Sequence, residues 1–145
     1  MFAGPVLCLA AAKKALEKRM LVFKIVEESE WNAALAAGVY RGSAADKKDN
    51  FIHLSTSKQL AGTLARHFAH VTEPLLLIAV DADSLGAHLK WEEASNGETY
   101  PHLYHALDLS LVLWNSTIPL KAPGVFALPV EAFVEQNKNQ NPFLS

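Results

Sequence analysis

The chain has 145 residues, of which 50% are hydrophobic and 19% charged, and its 13 basic and 15 acidic residues give a formal net charge of −2. This length and hydrophobicity predict one globular domain and exclude an intrinsically disordered segment. The single cysteine, Cys8, excludes a disulfide framework and a thiolate-based zinc or iron–sulfur site. The near-neutral charge argues against a general nucleic-acid-binding protein, because such proteins neutralise phosphates with excess basic residues.

The two ends of the chain differ from its middle. Residues 1–19 are expected to form an N-terminal helical extension, residues 20–135 one α+β domain, and the polar residues 136–145 a flexible tail. The apolar run near the N-terminus has only about ten residues and precedes its positive charges, which is the opposite order to that of a secretory signal. The sequence therefore predicts a cytoplasmic protein without a membrane span.

Charge is unevenly distributed along the chain. Residues 1–20 and residues 41–72 each carry a net +3, whereas residues 73–135 carry −7. Two interpretations stay open: both regions are ordinary solvated surface, or the basic segment faces an anionic ligand.

The first half of the chain alternates strand and helix patterns. The β-branched and aromatic residues 21–26 predict a strand. Ser29 is expected to cap a helix in which Trp31 and Leu35 share a face, and Gly38 is expected to end it in a left-handed conformation. After a polar loop, residues 51–54 predict a short strand.

The second half is mostly strands. Thr56 and Gln59 have the spacing of a capping box, which predicts a helix from there to about His70 with an apolar face at intervals of four residues. The continuously apolar residues 75–80 predict a strand buried on both faces, and residues 109–114 and 125–128 two further strands. This order favours an α+β fold over a doubly wound one.

The first cluster of polar residues lies at 40–43 and 51–56, and it centres on His53. His53 and Ser55 are two residues apart on the predicted strand, so an imidazole and a hydroxyl are expected on one sheet face. A hydrogen-bonded structural histidine is the alternative. The chain contains no glycine-rich phosphate loop and no nucleophile elbow.

The second cluster spans residues 91–93 and 97–105. Glu92, Glu93 and Glu98 lie in an aromatic neighbourhood, where burial of one beside the others would raise its pKa and suit it to acid–base catalysis. Glu92 is preferred because Trp91 precedes it, and exposure of all three is the alternative. His102 and His105 have a spacing that a metal ion can use, so a metal-dependent hydrolase is a third hypothesis, although no metal is expected.

With these residues in view, the chain resembles the bacterial family known as domain of unknown function 952 over about residues 21–130. The resemblance is carried by GVYRGS at 38–43, Asp46, DNFIHLST at 49–56, Gln59, LKWE at 89–92 and GETYPHLY at 97–104. Two positions depart from the family pattern: Asn50 and His105 each stand where a glycine is usual.

This resemblance implies a fold similar to that of ADP-ribosyltransferases: two small, mostly antiparallel sheets with flanking helices around a central cleft that binds NAD. It implies that His53 contacts the nicotinamide-side ribose with support from Ser55, and that Glu92, or otherwise Glu98, is the catalytic glutamate that orients the acceptor. Tyr40 or Tyr104 would stack on the nicotinamide.

The resulting hypothesis is an enzyme that cleaves or transfers at the nicotinamide–ribose bond of NAD, either an ADP-ribosyltransferase or an NAD glycohydrolase. The catalytic residues are His53, Glu92 and Glu98. The residues expected to bind the nucleotide are Tyr40, Arg41, Ser43, His53, Ser55, Thr56, His102 and Tyr104. The alternative is a non-enzymatic module that binds a small anionic metabolite or a protein partner in the same cleft.

Overall fold

The computed structural model describes residues 20–133. The helical extension predicted for residues 1–19 and the tail predicted for 136–145 lie outside the described residues. In chain order the elements are β1 (Leu21–Glu27), α1 (Glu28–Ala37), β2 (Val39–Tyr40), α2 (Ala44–Asp49), β3 (Ile52–His53), α3 (Leu60–His67), β4 (Leu75–Asp81), β5 (Leu89–Glu93), β6 (Thr99–Leu103), β7 (Leu107–Asp108), β8 (Val112–Ile118), β9 (Leu120–Ala122) and β10 (Val125–Phe126).

One three-stranded sheet has the antiparallel order β1-β4-β8. Its central strand, β4, packs on both faces, which explains the continuous apolar run at this position. Odd-numbered residues such as Phe23 and Leu77 enter one hydrophobic cluster, and even-numbered residues such as Val22 and Ile78 enter another. By the same alternation, Lys24 points to the side of Val22 and Ile78.

The second three-stranded sheet has the antiparallel order β3-β6-β5. Ile52 of β3 is the cross-strand partner of Leu103 of β6, and both are buried in the cluster that contains Val22. One face of this sheet therefore packs towards the first sheet. The opposite face carries the next cross-strand pair, His53 and His102.

Helix α1 begins two residues earlier than the sequence indicated. Its N-cap is Glu27, whose side chain makes no capping hydrogen bond, so the prediction that Ser29 caps this helix was wrong. Trp31 packs inward with Ala34 at the i, i+3 spacing, whereas Leu35 is 58% exposed, which corrects the predicted Trp31–Leu35 face. The left-handed conformation predicted for Gly38 is confirmed by its φ of 80°.

The capping box of Thr56 and Gln59 is confirmed, but it opens a short 3-10 turn at Ser57–Gln59 before the α-helix begins. Helix α3 ends at His67, three residues before the predicted end, while Leu60 and Leu64 are buried as expected.

Further along, Leu109–Leu111 form another 3-10 turn because the Asp108 side chain accepts a hydrogen bond from the Ser110 amide at 2.9 Å. The strand predicted at residues 109–114 therefore begins only at Val112.

The predicted α+β class with small antiparallel sheets is confirmed, and every described pair of neighbouring strands is antiparallel. Two additional two-stranded sheets, β2-β7 and β9-β10, were not predicted, although the strand predicted at residues 125–128 is present as β10 over Val125–Phe126. The other three strands, β2, β7 and β9, have only two or three residues, which is too short to show an alternating pattern. Within residues 20–133, none of the helices has the length and apolar character of a membrane span.

Gly38→Ala is expected to lower the free energy of unfolding by about 1–2 kcal/mol, because φ at this position lies in the left-handed region. A methyl group there would meet nothing within 4 Å, so the loss reports backbone conformation rather than a steric clash. The matched control is Gly62→Ala inside α3, where the added methyl group would meet only the end of the long Arg66 side chain, with Nη1 at 3.0 Å; it should raise the free energy of unfolding by up to about 1 kcal/mol. Urea titration of both variants measures the difference, and an unchanged or raised free energy of unfolding in Gly38→Ala would contradict the prediction.

Candidate functional site

Four of the predicted site residues lie together on the outer face of the β3-β6-β5 sheet. His53 is the cross-strand partner of His102, and Glu92 of β5 contacts Tyr104, the residue that follows β6. The aromatic ring of Phe51 lies among them. We call the surface formed by Phe51, His53, Glu92, His102 and Tyr104 the histidine face.

Asp46 holds His53 in place from the interior of the domain. It is 2% exposed and lies in the first turn of α2, where Ser43 and Asp46 form a capping box. Its Oδ1 atom accepts hydrogen bonds from the backbone amide of His53 at 3.1 Å and from Nδ1 of the same residue at 2.6 Å. The imidazole of His53 is thereby fixed at both its backbone and its ring.

The buried ammonium group of Lys24 completes this arrangement. Its Nζ atom lies 2.8 Å from Oδ2 of Asp46 and donates to the carbonyl oxygen of His53 at 3.2 Å. Burial alone raises the pKa of Asp46, but the hydrogen bond from His53 and the charge of Lys24 outweigh it and hold the pKa well below its usual range. Asp46 is therefore an ionised carboxylate in the interior of the domain.

A second carboxylate contacts the other side of the His53 ring. Nε2 of His53 lies 2.9 Å from Oδ2 of Asp49, which is 48% exposed at the end of α2. The segment 41–72 has a net charge of +3, but both of its acidic residues face His53. The surroundings of this imidazole are thus more acidic than the segment's charge indicated.

Glu92 is held at the opposite side of the histidine face. Its Oε1 atom accepts a hydrogen bond from the Tyr104 hydroxyl at 2.6 Å and lies 2.9 Å from Nδ1 of His102. These two contacts, Tyr104 first, lower the pKa of Glu92. This is the opposite of the raised pKa that burial among carboxylates would have produced, so Glu92 is suited to act as an anion rather than as a proton donor.

Phe51 lies between His53 on one side of the histidine face and His102 and Tyr104 on the other. Its ring stacks on His102 with centroids 4.0 Å apart and contacts the rings of His53 at 4.5 Å and Tyr104 at 5.3 Å. Sequence reasoning missed this role, although Phe51 stands two residues before His53 and so shares its side of an extended chain. Asp46, Asp49 and Lys24 were also missed as site residues; the signal for Lys24 was a lone charge in an apolar strand.

The remaining predicted residues lie elsewhere or have structural partners. Tyr40 is 3% exposed and packs against Trp31, and its hydroxyl is buried without a hydrogen-bond partner within residues 20–133. Ser55 contacts the hydroxyl of Thr63 at 3.0 Å. Arg41 is exposed, Ser43 caps α2, and Thr56 belongs to the capping box with Gln59.

Glu98 belongs to a separate polar group. Its carboxylate accepts a hydrogen bond from the Tyr100 hydroxyl at 3.0 Å, and that hydroxyl accepts from Arg66 at 2.6 Å and from Asn96 at 2.9 Å. The structure therefore distinguishes the two candidate acids. Glu92 is part of the histidine face, whereas Glu98 belongs to a hydrogen-bonded group that links the β5-β6 hairpin, through Tyr100 and Arg66, to α3.

The predicted spacing of His102 and His105 does not produce a shared site. His102 contacts Glu92 and Phe51, whereas the His105 ring lies against His88 with centroids 4.6 Å apart. Within the described part of the chain, no three His, Cys, Asp or Glu side chains are arranged to hold a metal ion.

Tyr104→Phe is expected to raise the pKa of Glu92, because the lost hydroxyl is the largest cause of its lowered value. Tyr104 is 38% exposed, so the variant should keep its fold. Carbon-13 NMR titration of the Glu92 carboxyl group measures the change. Tyr100→Phe is the matched control, because the Tyr100 hydroxyl donates to Glu98 and not to Glu92. An equal rise in the pKa of Glu92 in the two variants would show that the Tyr104 hydroxyl is not the group that lowers it.

Fold and site together define a small α+β domain with a histidine–carboxylate face on one of its antiparallel sheets. The family model described as "Protein of unknown function (DUF952)" matches residues 25–115, and the chain belongs to this family. The family membership predicted from the motifs is thereby confirmed. None of the curated proteins searched matches this chain.

Two solved structures of protein CC0527 from Caulobacter crescentus are similar to this chain. The crystal structure has 42% sequence identity and a TM-score of 0.73, and the match covers 78% of this chain and 98% of that one. The solution NMR structure has 44% identity and a TM-score of 0.64, with coverage of 72% and 90%.

Proposed function

We propose that this protein binds NAD on the histidine face and cleaves its nicotinamide–ribose bond, passing the ADP-ribosyl group to water or to another acceptor. The observation that carries the proposal is the carboxylate of Glu92, which is held by Tyr104 and His102, has a lowered pKa and is 41% exposed. The motif resemblance supports NAD as the ligand.

An anion in this position suits cleavage of an N-glycosidic bond. As the carbon–nitrogen bond breaks, its electron pair leaves with nicotinamide and positive charge develops on the ribose ring. A fixed carboxylate beside the ring stabilises that charge without reorganising during the reaction. Glu92 meets this requirement because two hydrogen bonds already set its orientation.

The same geometry supplies a base for the second half of the reaction. If Nδ1 of His102 donates to Glu92, a neutral imidazole carries its lone pair on Nε2. The attacking water or acceptor hydroxyl bonds to the ribose carbon and releases its proton to this nitrogen. His102 would thus orient Glu92 and accept the proton.

The aromatic residues of the histidine face suit a planar ligand. Phe51 and Tyr104 offer ring surfaces for the nicotinamide, and Lys90, whose Nζ lies 5.0 Å from the Tyr104 ring centroid, offers a positive charge for the pyrophosphate. His53, held between Asp46 and Asp49, would contact the ribose through its edge.

Calorimetry with NAD, combined with chromatography of released nicotinamide, tests the proposal. We expect saturable binding at or below millimolar NAD, accumulation of nicotinamide, and loss of binding in His53→Ala. The absence of binding at millimolar NAD would overturn the proposal. Binding without nicotinamide release, unchanged by Glu92→Gln, would instead identify the non-enzymatic binding module predicted as the alternative.

A further inference from the structure

One edge of the β3-β6-β5 sheet is open. β5 is the last strand in this order, and none of the strands within residues 20–133 pairs with its outer side. An edge strand presents amide and carbonyl groups that can pair with another chain. β5 has five residues and pairs with β6 without a shift of register, so its outer edge is regular enough to accept a further strand.

A hydrogen bond beside β5 shows which of its backbone groups face the open edge. The carbonyl oxygen of His88 accepts from the amide of Tyr104 at 2.8 Å. Hydrogen-bonded positions alternate along an antiparallel pair, so residues 90 and 92 also bond to β6. Residues 91 and 93 therefore direct both backbone groups outwards. Leu89, whose amide donates to Gly86, directs its carbonyl oxygen outwards.

The charges of β5 fit a second copy of the same strand in the register centred on Trp91. When two copies pair antiparallel about this residue, Lys90 of each copy lies opposite Glu92 of the other. Pairing about Lys90 would place the two lysines opposite each other, and pairing about Glu92 the two glutamates. Opposite charges stabilise a cross-strand pair and like charges destabilise it, so charge selects the register centred on Trp91.

The backbone groups fit the same register. The two Trp91 residues become a hydrogen-bonded pair, because the amide and the carbonyl group of each face the open edge. The outward amide of Glu93 can donate to the outward carbonyl oxygen of Leu89 in the other copy. Lys90 and Glu92 then form the non-hydrogen-bonded pairs, in which the side chains of antiparallel strands approach most closely.

Apolar surface lies along the same edge, on the side of the sheet away from the histidine face. Trp91 is 41% exposed and Met20 is 47% exposed, and both line a depression of about 360 Å³ beside β5. In the register centred on Trp91, the two tryptophan side chains are direct cross-strand neighbours, so each covers part of the other. Pairing therefore removes exposed aromatic surface from water.

We propose that this protein forms a two-fold symmetric dimer, in which two β5 strands pair antiparallel about Trp91 and join the two sheets into one sheet of six strands. Lys90 and Glu92 lie on the side of β5 that carries the histidine face. The two histidine faces therefore lie on one side of the joined sheet, with the partner's Lys90 beside Glu92. The dimer does not depend on the chemistry proposed for Glu92, because it rests on the strand edge alone.

Reversing each charge of the cross-strand pair tests this register. Analytical ultracentrifugation of the full chain should show an equilibrium between monomer and dimer. Lys90→Glu and Glu92→Lys should each weaken dimerisation about tenfold or more, because each places two like-charged pairs in the interface. An equimolar mixture of the two variants should recover the dimer, since every cross-strand pair between them has opposite charges. Lys121→Glu, which reverses an exposed charge on β9, is the matched control and should leave dimerisation unchanged.

Glu93→Pro supplies an independent test, because proline removes an amide that faces the open edge and leaves the pairing with β6 intact. It should also weaken the dimer. A monomer at every protein concentration up to about 1 mM would overturn the proposal. A dimer that survives Glu93→Pro and both charge reversals would overturn it as well, since another surface would then hold the copies together. Failure of the two folded charge variants to associate when mixed would equally overturn it.

Discussion

Asp46→Ala is expected to lower the free energy of unfolding by about 3–5 kcal/mol, the largest effect predicted for any substitution in the histidine face and its supports. The variant removes the acceptor of the Ser43 amide, of the His53 amide and of the His53 ring. It also leaves the Lys24 ammonium group, 6% exposed, without its carboxylate partner. A buried charge without a partner is far less stable than the same charge in an ion pair.

Chemical denaturation of Asp46→Ala and of three further variants, Asp49→Ala, Lys24→Met and the Lys24→Met/Asp46→Ala double variant, separates these causes. Asp49→Ala is the matched control: Asp49 also contacts the His53 ring but is half-exposed, so the expected loss is about 1 kcal/mol or less. Combining Lys24→Met with Asp46→Ala should lose less than the sum of the two single substitutions, since the unpaired charge is absent. If the free energy of unfolding fell by the same amount in Asp46→Ala and Asp49→Ala, the buried ion pair between Asp46 and Lys24 would not be a major source of stability.

The same carboxylate makes stability depend on pH. Its pKa lies below the ordinary value of 3.8, because hydrogen bonding with His53 and the charge of Lys24 outweigh the effect of burial, which alone would raise it. A group with a lowered folded-state pKa stabilises the fold above its unfolded pKa, and this contribution is lost as the pH falls through 3.8 and below. The wild-type protein should lose stability from about pH 5 downwards, more steeply than Asp46→Asn.

The longer elements were predictable because their patterns extend over several residues. The strand at 21–26, the buried strand at 75–80 and the capping box of Thr56 and Gln59 all follow from local periodicity and spacing. The strands that build the histidine face are shorter: β3 has two residues. Its pairing with β6 is a tertiary contact across about 50 residues, and no local pattern determines it.

Site residues divide in the same way. His53, Glu92, His102 and Tyr104 were predicted because their residue types suit acid–base chemistry and binding. Asp46 was not, since its role depends on the capping turn of α2, which places it beneath His53. Tyr40 was expected to stack on a ligand, yet aromatic residues serve the core as readily, and only packing distinguishes the two uses.

Asn50 shows how a departure from the family pattern can be accommodated. It ends α2 with φ of 67°, the left-handed conformation that favours glycine, the residue that the motif resemblance leads us to expect at this position. Asparagine tolerates this conformation better than other residues with side chains. The turn that delivers Phe51 and His53 to the histidine face is therefore retained.

Glu92→Gln tests the proposed chemistry most directly. If NAD is cleaved at the nicotinamide–ribose bond, the substitution should lower the rate of nicotinamide release about 10²–10³-fold, a loss typical of removing one preorganised electrostatic group. Glutamine keeps an oxygen that can accept from Tyr104, so the geometry of the face is retained while the negative charge is lost. NAD binding by calorimetry should change much less than the rate, because the charge acts on the positive ribose that forms only as the bond breaks.

Glu93→Gln provides the matched control, because it removes the same charge from the adjacent residue of β5, whose side chain points to the opposite side of the sheet. Its rate should stay within about twofold of the wild-type rate, since exposed charges away from the reacting atoms contribute little. Equal losses in the two variants would show that net charge, rather than the carboxylate held by Tyr104 and His102, governs the reaction. An unchanged rate in Glu92→Gln would remove Glu92 from the mechanism and leave the two histidines as the remaining reactive groups of the histidine face.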